Sequence, residues 1–301
     1  MVQGERDLVK NAFRRNKNSI TPYLFIAPQF LMFLVFYVYP IVEGLRLSFY
    51  QTTYKEAVFV GFENYLTLLK DPIFLTSVKN TLLFVVVIVS LTVVFGIFIS
   101  ASVFDKSIKY MSFIRGCFYF PYMVSMVVMS MVWNFLLNPA NGLVGYLLEI
   151  CGITGVNFLG NKNTAIIIII FVIFNFNLGQ SVILYIAAMI GVPEDVLTAA
   201  EIDGANRWQK IRAILIPMVS STTLYIIVIN IIGVLKMFVA IQLLTDGGPN
   251  NSTVTMMYYL YQNAFIWNQT GQAAAIGVML FILAIIFALP QFRIFNKRFK
   301  I

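Results

Sequence analysis

Between residues 192 and 217 the chain gathers Glu194, Asp195, Glu201, Asp203, Arg207, Lys210 and Arg212, with long apolar runs on either side. Charges of both signs on a short insert between apolar runs suit docking of a macromolecular partner. A second set of polar groups stands inside the runs themselves: Tyr122, Asn175, Asn177, Gln180, Ser181, Tyr185 and Asn230. An amide held in hydrocarbon without a partner costs on the order of several kcal/mol, so these groups must face neighbouring helices or a wet cavity. Asn175 and Asn177 are two residues apart and lie on different faces of a helix, so at most one of them lines a central cavity. Hydrogen bonds between helices, with no ligand involved, would satisfy the same residues equally well.

Other chemistries find no material in this chain. It has no histidine, and its only cysteines are Cys117 and Cys151, from which a zinc site of His and Cys ligands cannot be built. Neither GxxxxGK[ST] nor any Gly-Lys pair occurs, so there is no P-loop to hold a nucleotide. Glu149 and Asp246 fall between the apolar runs, not within them, and ion-coupled pumping usually relies on intramembrane Asp, Glu or His.

The elements that must position these residues are membrane helices. With 59% hydrophobic residues, 11% charged residues and a mean hydropathy of +0.83, the chain reads as an all-α polytopic membrane protein. Apolar runs at 23–41, 81–104, 113–137, 164–190, 217–243 and 273–295 each approach or exceed the ~20 residues that a crossing helix needs, which predicts six spans. They delimit a membrane domain over 23–295, preceded by a basic segment, 1–22, suited to anionic headgroups, and followed by a short tail, 296–301. The first run is longer than a signal-peptide core, and Pro28 and Pro40 stand where a small-residue cleavage site would be expected.

Lysine and arginine set the orientation. They crowd the first segment (Arg6, Lys10, Arg14, Arg15, Lys17), the turn after the second run (Lys106, Lys109, Arg115), the 192–217 insert and the end of the chain. The opposite face holds only Arg46, Lys55, Lys70, Lys79 and Lys162, so both termini and the insert are expected to be cytoplasmic, in a bacterial plasma membrane. Lys236 stands inside the fifth run, about 10 Å short of its outer boundary at ~1.5 Å per residue, within reach of the interface for a snorkelling side chain.

The insert has a local code of its own. Pro193 followed by Glu194 and Asp195 suits a helix start, Gly204 suits a left-handed C-terminal cap, and Asn206 suits the cap of a second helix. Trp208, Ile211 and Leu215 fall at helical spacing on one face of that second helix, and Pro217 marks the start of the next span. By physics alone this pair of short helices is as compatible with a loop lying on headgroups as with a docking element.

Ala199, Ala200, the run Ile202-Asp203-Gly204-Ala205, Trp208 and the ending Ile214-Leu215-Ile216-Pro217 resemble the EAA loop of ABC-type importer permeases, specifically the MalF-like sugar permease family. Thr198 stands where that family usually has glutamate. Further similarity lies in the outer segment around 60–65, Asp71-Pro72, Asn80-Thr81, the Thr245-Asp246-Gly247-Gly248-Pro249 turn and the small residues from Gly271 to Gly277. It covers nearly all of the chain from Tyr23 onward.

The resemblance implies a type I importer permease of MetI-like fold that translocates a sugar or oligosaccharide. It also implies a MalG-like second permease, a dimer of cytoplasmic ATPase subunits and an extracytoplasmic solute-binding protein as partners. ATP and Mg²⁺ would then be bound by the partner ATPase, and this chain would hold no cofactor and catalyse no reaction. Its coupling residues would be Ala199, Ala200, Glu201, Asp203, Gly204, Ala205, Trp208 and Pro217. Substrate contacts, counted without gaps from the EAA loop, would fall on Tyr122, Asn177 and Asn230, whose hydrogen-bonding groups and aromatic face suit a sugar. The alternatives are an ion-coupled secondary transporter and a membrane-embedded enzyme, neither of which calls for a charged helix pair built around Asp203, Gly204 and Ala205.

Overall fold

The computed structural model describes residues 23–52 and 57–299, with side chains as far as Gln291. The basic segment 1–22 lies outside the described residues, and of the 296–301 tail the backbone is described through Phe299 as the end of the last helix. Among the described residues, four helices are long and apolar enough to cross a membrane: α1 (Tyr23–Leu47), α3 (Pro72–Val103), α7 (Lys162–Ile190) and the Thr270–Gln291 part of α13 (Thr270–Phe299). Two bent pairs bring the number to six if each is one span.

A cap of short elements closes one end of the bundle. Strands β1 (Tyr50–Thr52) and β2 (Ala57–Phe59) pair antiparallel, with Tyr50 opposite Phe59, and α2 (Glu63–Lys70) follows. Asp71 then caps α3, accepting from the Ile73 N–H at 2.9 Å, while Pro72 takes a first-turn position where no N–H is needed. The apolar run places the start of this span at Thr81, yet the helix begins nine residues earlier. At ~1.5 Å per residue it is far longer than a ~30 Å hydrocarbon core, so its first turns stand in the cap. There Asn80 donates to the Ser252 and Val254 carbonyls at 2.8 and 2.9 Å, and the Thr81 hydroxyl accepts from the Met256 N–H at 2.9 Å. The Tyr259 hydroxyl, on α12 (Met256–Tyr261), donates to Asp71, and that of Tyr258 donates to Asp246. Burial first, and the adjacent carboxylate second, push both phenols above the usual tyrosine range.

The third and fifth apolar runs are not straight rods. The expected 113–137 span is α4 (Ile108–Met123) and α5 (Met126–Leu136), bent by 93°. Pro121 removes a donor from the last turn of α4, Val124 and Ser125 are extended, and Ser125 caps α5 through the Val128 N–H at 3.3 Å. The fifth run is also divided. Helix α9 (Arg207–Met218) continues through Pro217, meets α10 (Ser220–Leu235) at a 63° bend on Val219, and α11 (Val239–Leu244) follows. Pro217 therefore lies in the last turn of one helix and does not open the next. A π turn over Ile211–Leu215, closed by Ile216 N–H to Ile211 O, loosens the backbone just ahead of it.

Further helices are α6 (Leu143–Ile150), on the loop before α7, and α8 (Glu194–Ile202) in the insert, and a π turn over Gln262–Ile266 continues α12. The main core packs α3 against α7, with α10 to α13 contributing Ile231, Val234, Ala240, Ile241, Tyr258, Ala275 and Ile276. The 18 most apolar residues of α1 are all unburied within this chain. Exposed large apolar side chains cover the outside of the bundle, Phe98, Phe113 and Phe281 among them, the reverse of a soluble protein.

Candidate functional site

At the end opposite the cap, the 192–217 insert folds as two capped helices. Helix α8 starts after Pro193 with Glu194 and Asp195 in its first turn. It ends in a double cap: the Gly204 N–H donates to Glu201 O at 3.0 Å and the Ala205 N–H to Ala200 O at 2.8 Å. That geometry needs a left-handed residue, and Gly204 has φ +78° with nothing within 4 Å of where a Cβ would stand, so glycine is required here by backbone conformation alone. Asn206 opens α9 with a reciprocal capping box: its side chain accepts from the Gln209 N–H at 2.9 Å, and Gln209 accepts from the Asn206 N–H at 2.7 Å.

The pair is tied to itself and to the bundle. Lys210 Nζ donates to Glu201 Oε1 at 2.6 Å, bridging α9 to α8. Arg207 Nη2 donates to the Ala101 and Ser102 carbonyls at 3.2 and 2.8 Å and to Asp105 Oδ1 at 2.9 Å. Beneath the charges Ile211 and Leu215 are buried in a cluster with Ala101, Tyr185, Met189 and Val192. Trp208 does not join them. Although its spacing puts it on their face, it is 65% exposed, because it lies in the first turn of α9, beyond the edge of the packed cluster. Ile202, which the apolar pattern did not single out, is 82% exposed at the end of α8. Thr198, Ala199, Asp203 and Pro217 are exposed too, while Ala200 and Ala205 are half-buried. The result is a protruding surface with two bare apolar side chains, Ile202 and Trp208, bordered by charge.

The intramembrane candidates gather on the middle of α7. Tyr122, in the last turn of α4 beside the 93° bend, packs on Phe176 of α7 with ring centroids 5.2 Å apart and on Tyr119 at 5.5 Å. Tyr225 of α10 is 55% exposed. Asn177 follows Phe176 directly, and its Nδ2 is buried with no acceptor among the described residues. Asn230 is 5% exposed; its Nδ2 donates to Ile226 O at 2.8 Å and reaches Ser181 Oγ at 3.4 Å. Tyr122 thus sits in an aromatic cluster on α7 and Asn177 lies in the same turn of that helix, whereas Asn230 spends its donor on helix contacts.

Close packing sets this cluster. A Cβ on Gly179 would stand 2.1 Å from Phe118 O and 3.0 Å from Tyr119 Cα, so α4 lies directly on the backbone of α7 one turn from Tyr122. Sequence reasoning passed over Gly179, Tyr119, Phe176 and Tyr225; a lone glycine in an apolar run was the only available signal for the first. Lys236 caps the C-terminal end of α10, exposed within this chain, where the helix dipole favours a cation.

The profile of the family described as "Binding-protein-dependent transport system inner membrane component" matches residues 92–301. The chain is 32% identical over 286 residues to the probable ABC transporter permease protein YurN of Bacillus subtilis, covering 93% of this chain and 98% of that one. It is 30% identical to the arabinooligosaccharides transport system permease protein AraP of the same organism, covering 91% and 88% of the two chains. It is also 30% identical to the sn-glycerol-3-phosphate transport system permease protein UgpA of Agrobacterium fabrum, covering 93% and 96%. Among solved structures, a bacterial ABC transporter involved in the import of the acidic polysaccharide alginate superposes with a TM-score of 0.82 at 23% identity, over 95% of this chain and 99% of that one. The alginate transporter solved with a pentasaccharide-bound periplasmic protein gives 0.80 at 24%, over 93% and 95%.

Proposed function

Because this chain belongs to the family of inner membrane components of binding-protein-dependent transport systems, we propose that it is the membrane-spanning permease subunit of an ATP-driven importer for a sugar or oligosaccharide. It is a multi-pass membrane protein of the importer-permease fold. The observation that carries the proposal is the 192–217 insert: two capped helices, locked to each other and to the bundle, that present Ile202 and Trp208 uncovered. Such a surface is built to enter a groove on a partner, here a dimer of cytoplasmic ATPase subunits that binds ATP and Mg²⁺. A MalG-like second permease would cover the remaining intramembrane surface, and a solute-binding protein would deliver substrate to the capped end. The termini and the insert then face the cytoplasm.

Transport would proceed by rigid-body tilting of the spans, driven when closure of the ATPase dimer moves the docked helix pair. The substrate path would pass Tyr122 and Asn177. A buried amide without an acceptor among the described residues, on the same turn of α7 as the ring that Tyr122 packs on, supports that placement, since a sugar offers hydroxyl acceptors and an apolar ring face. Asn230 would hold the helices that frame the path.

The test is reconstitution. The chain, co-expressed with an ATPase subunit and a second permease encoded beside it, is purified by a tag on this chain and placed in proteoliposomes with the binding protein. Arabino-oligosaccharide and sn-glycerol 3-phosphate serve as trial substrates. Uptake that needs enclosed ATP and external binding protein is the expected outcome. Uptake by this chain alone, driven by an ion gradient, would refute the proposal.

A further inference from the structure

Arg207 is absent from the set of coupling residues that the sequence pattern picks out, yet it makes the longest-range polar contacts of the insert. A single nitrogen of its guanidinium reaches two backbone carbonyls of the last turn of α3, at Ala101 and Ser102, and the carboxylate of Asp105 in the turn that follows. Carbonyls in the final turn of a helix have no intrahelical donor and carry the negative end of its dipole, so they are natural partners for a cation. Only Lys106 and Ser107 separate Asp105 from α4, and the Ser107 side chain caps that helix through the Tyr110 N–H. Phe104, in the same turn, packs against the cluster of Ile211 and Leu215 that lies under α9. From this turn α4 runs about 21 Å, at ~1.5 Å per residue, from Ile108 to Tyr122, which packs on Phe176.

We infer that Arg207 is a positioning residue that yokes the protruding helix pair to the α3–α4 turn, so that displacement of the pair is delivered to α4 and its tyrosines instead of being absorbed in the loop. This rests on reading the insert as the ATPase-docking element. Stability is not its main contribution: both side chains of the ion pair are more than a third exposed, at 46% and 37%, and pairs so placed are worth little. What the contact supplies is a fixed relation between α9 and α4.

The test uses the complete transporter in nanodiscs, with Cys117 and Cys151 replaced by serine and spin labels on Ser112 of α4 and Ala213 of α9, both exposed. Interlabel distances are measured without nucleotide and after trapping with ATP and vanadate. With Arg207 intact, the distance distribution is narrow and its mean differs between states by less than ~1.5 Å, the rise of one helical residue. In Arg207→Ala the distribution broadens and the mean differs by more than that, while the ATPase still co-purifies and the melting temperature holds. Asp105→Asn, which leaves both carbonyl contacts, gives an intermediate result, and serves if Arg207→Ala assembles poorly. An unchanged distribution in both variants overturns the yoke alone. Failure of the unsubstituted chain to retain an ATPase subunit overturns the docking reading, and this inference with it.

Discussion

Replacing Gly179 by alanine adds one methyl group, and the surroundings say where it must go. Its Cβ would lie 2.1 Å from Phe118 O, 2.9 Å from Phe118 C and 3.0 Å from Tyr119 Cα, all backbone atoms that cannot rotate away. Ordinary contact between a carbon and an oxygen requires more than 3 Å, so α4 must retreat from α7 by about 1 Å. Overpacking of this kind costs ~1–3 kcal/mol. The larger consequence is functional, because Tyr122 is one turn along α4 from the contact and moves with it. A ~1 Å misplacement of groups that must act together lowers rates by up to ~10²-fold. Gly233→Ala is the matched control: the same methyl on α10 meets nothing within 4 Å, so the substitution is expected to be neutral. Uptake in proteoliposomes and the melting temperature of the purified assembly are measured for both variants. Wild-type uptake and melting in Gly179→Ala would refute the reasoning, since it would mean that the two helices are not in backbone contact.

The other predictions concern the site, the insert and the cap. Tyr122→Ala and Asn177→Ala should lower uptake while thermal stability holds. Asn230→Ala should lower both together, because its amide bonds Ile226 O and Ser181; full stability of Asn230→Ala with lost uptake would return Asn230 to the substrate path. Gly204→Pro should insert in the membrane but uncouple transport from hydrolysis, as proline is confined near φ −65° and Gly204 stands at +78°; normal binding-protein-stimulated uptake in this variant contradicts the docking role. Thr198→Ala should be nearly silent, whereas Glu201→Ala and Lys210→Met should each weaken ATPase co-purification, more so at low salt, because they break the same 2.6 Å bridge; unequal effects of those two would show that Glu201 acts on the partner directly. In the cap, the raised pKa values of Tyr258 and Tyr259 mean that their stabilising contribution is complete below the ordinary tyrosine pKa of ~10 and is lost as pH rises above it. Melting curves from pH 8 upward should therefore show an alkaline decline that Tyr258→Phe and Tyr259→Phe each reduce, and a decline of unchanged size in both would exclude these phenols as its source.

What the sequence determined by itself was what depends on composition and, at the helix caps, on residues within about one helical turn. Runs of apolar residues predict the spans, because hydrocarbon demands a minimum length of helix whatever lies beside it. The caps at Gly204 and Asn206 were legible for a similar reason: a left-handed glycine and a side chain accepting from a backbone N–H three residues on are local events. Tertiary structure decided the rest. Lipid and neighbouring helix are equally apolar, so hydrophobic periodicity carries little information on which face packs and could not tell buried Asn230 from half-buried Asn177. Trp208 shares a spacing with Ile211 and Leu215 but lies past the edge of the surface they pack on. The bend after Tyr122 could be suspected from Pro121, but its 93° depends on where α5 finds partners, such as the Asn134 side chain on Leu243 O. Arg207 was counted only as a charge, since its acceptors at Ala101, Ser102 and Asp105 are more than a hundred residues away and come within reach only when α3 and α9 are folded side by side.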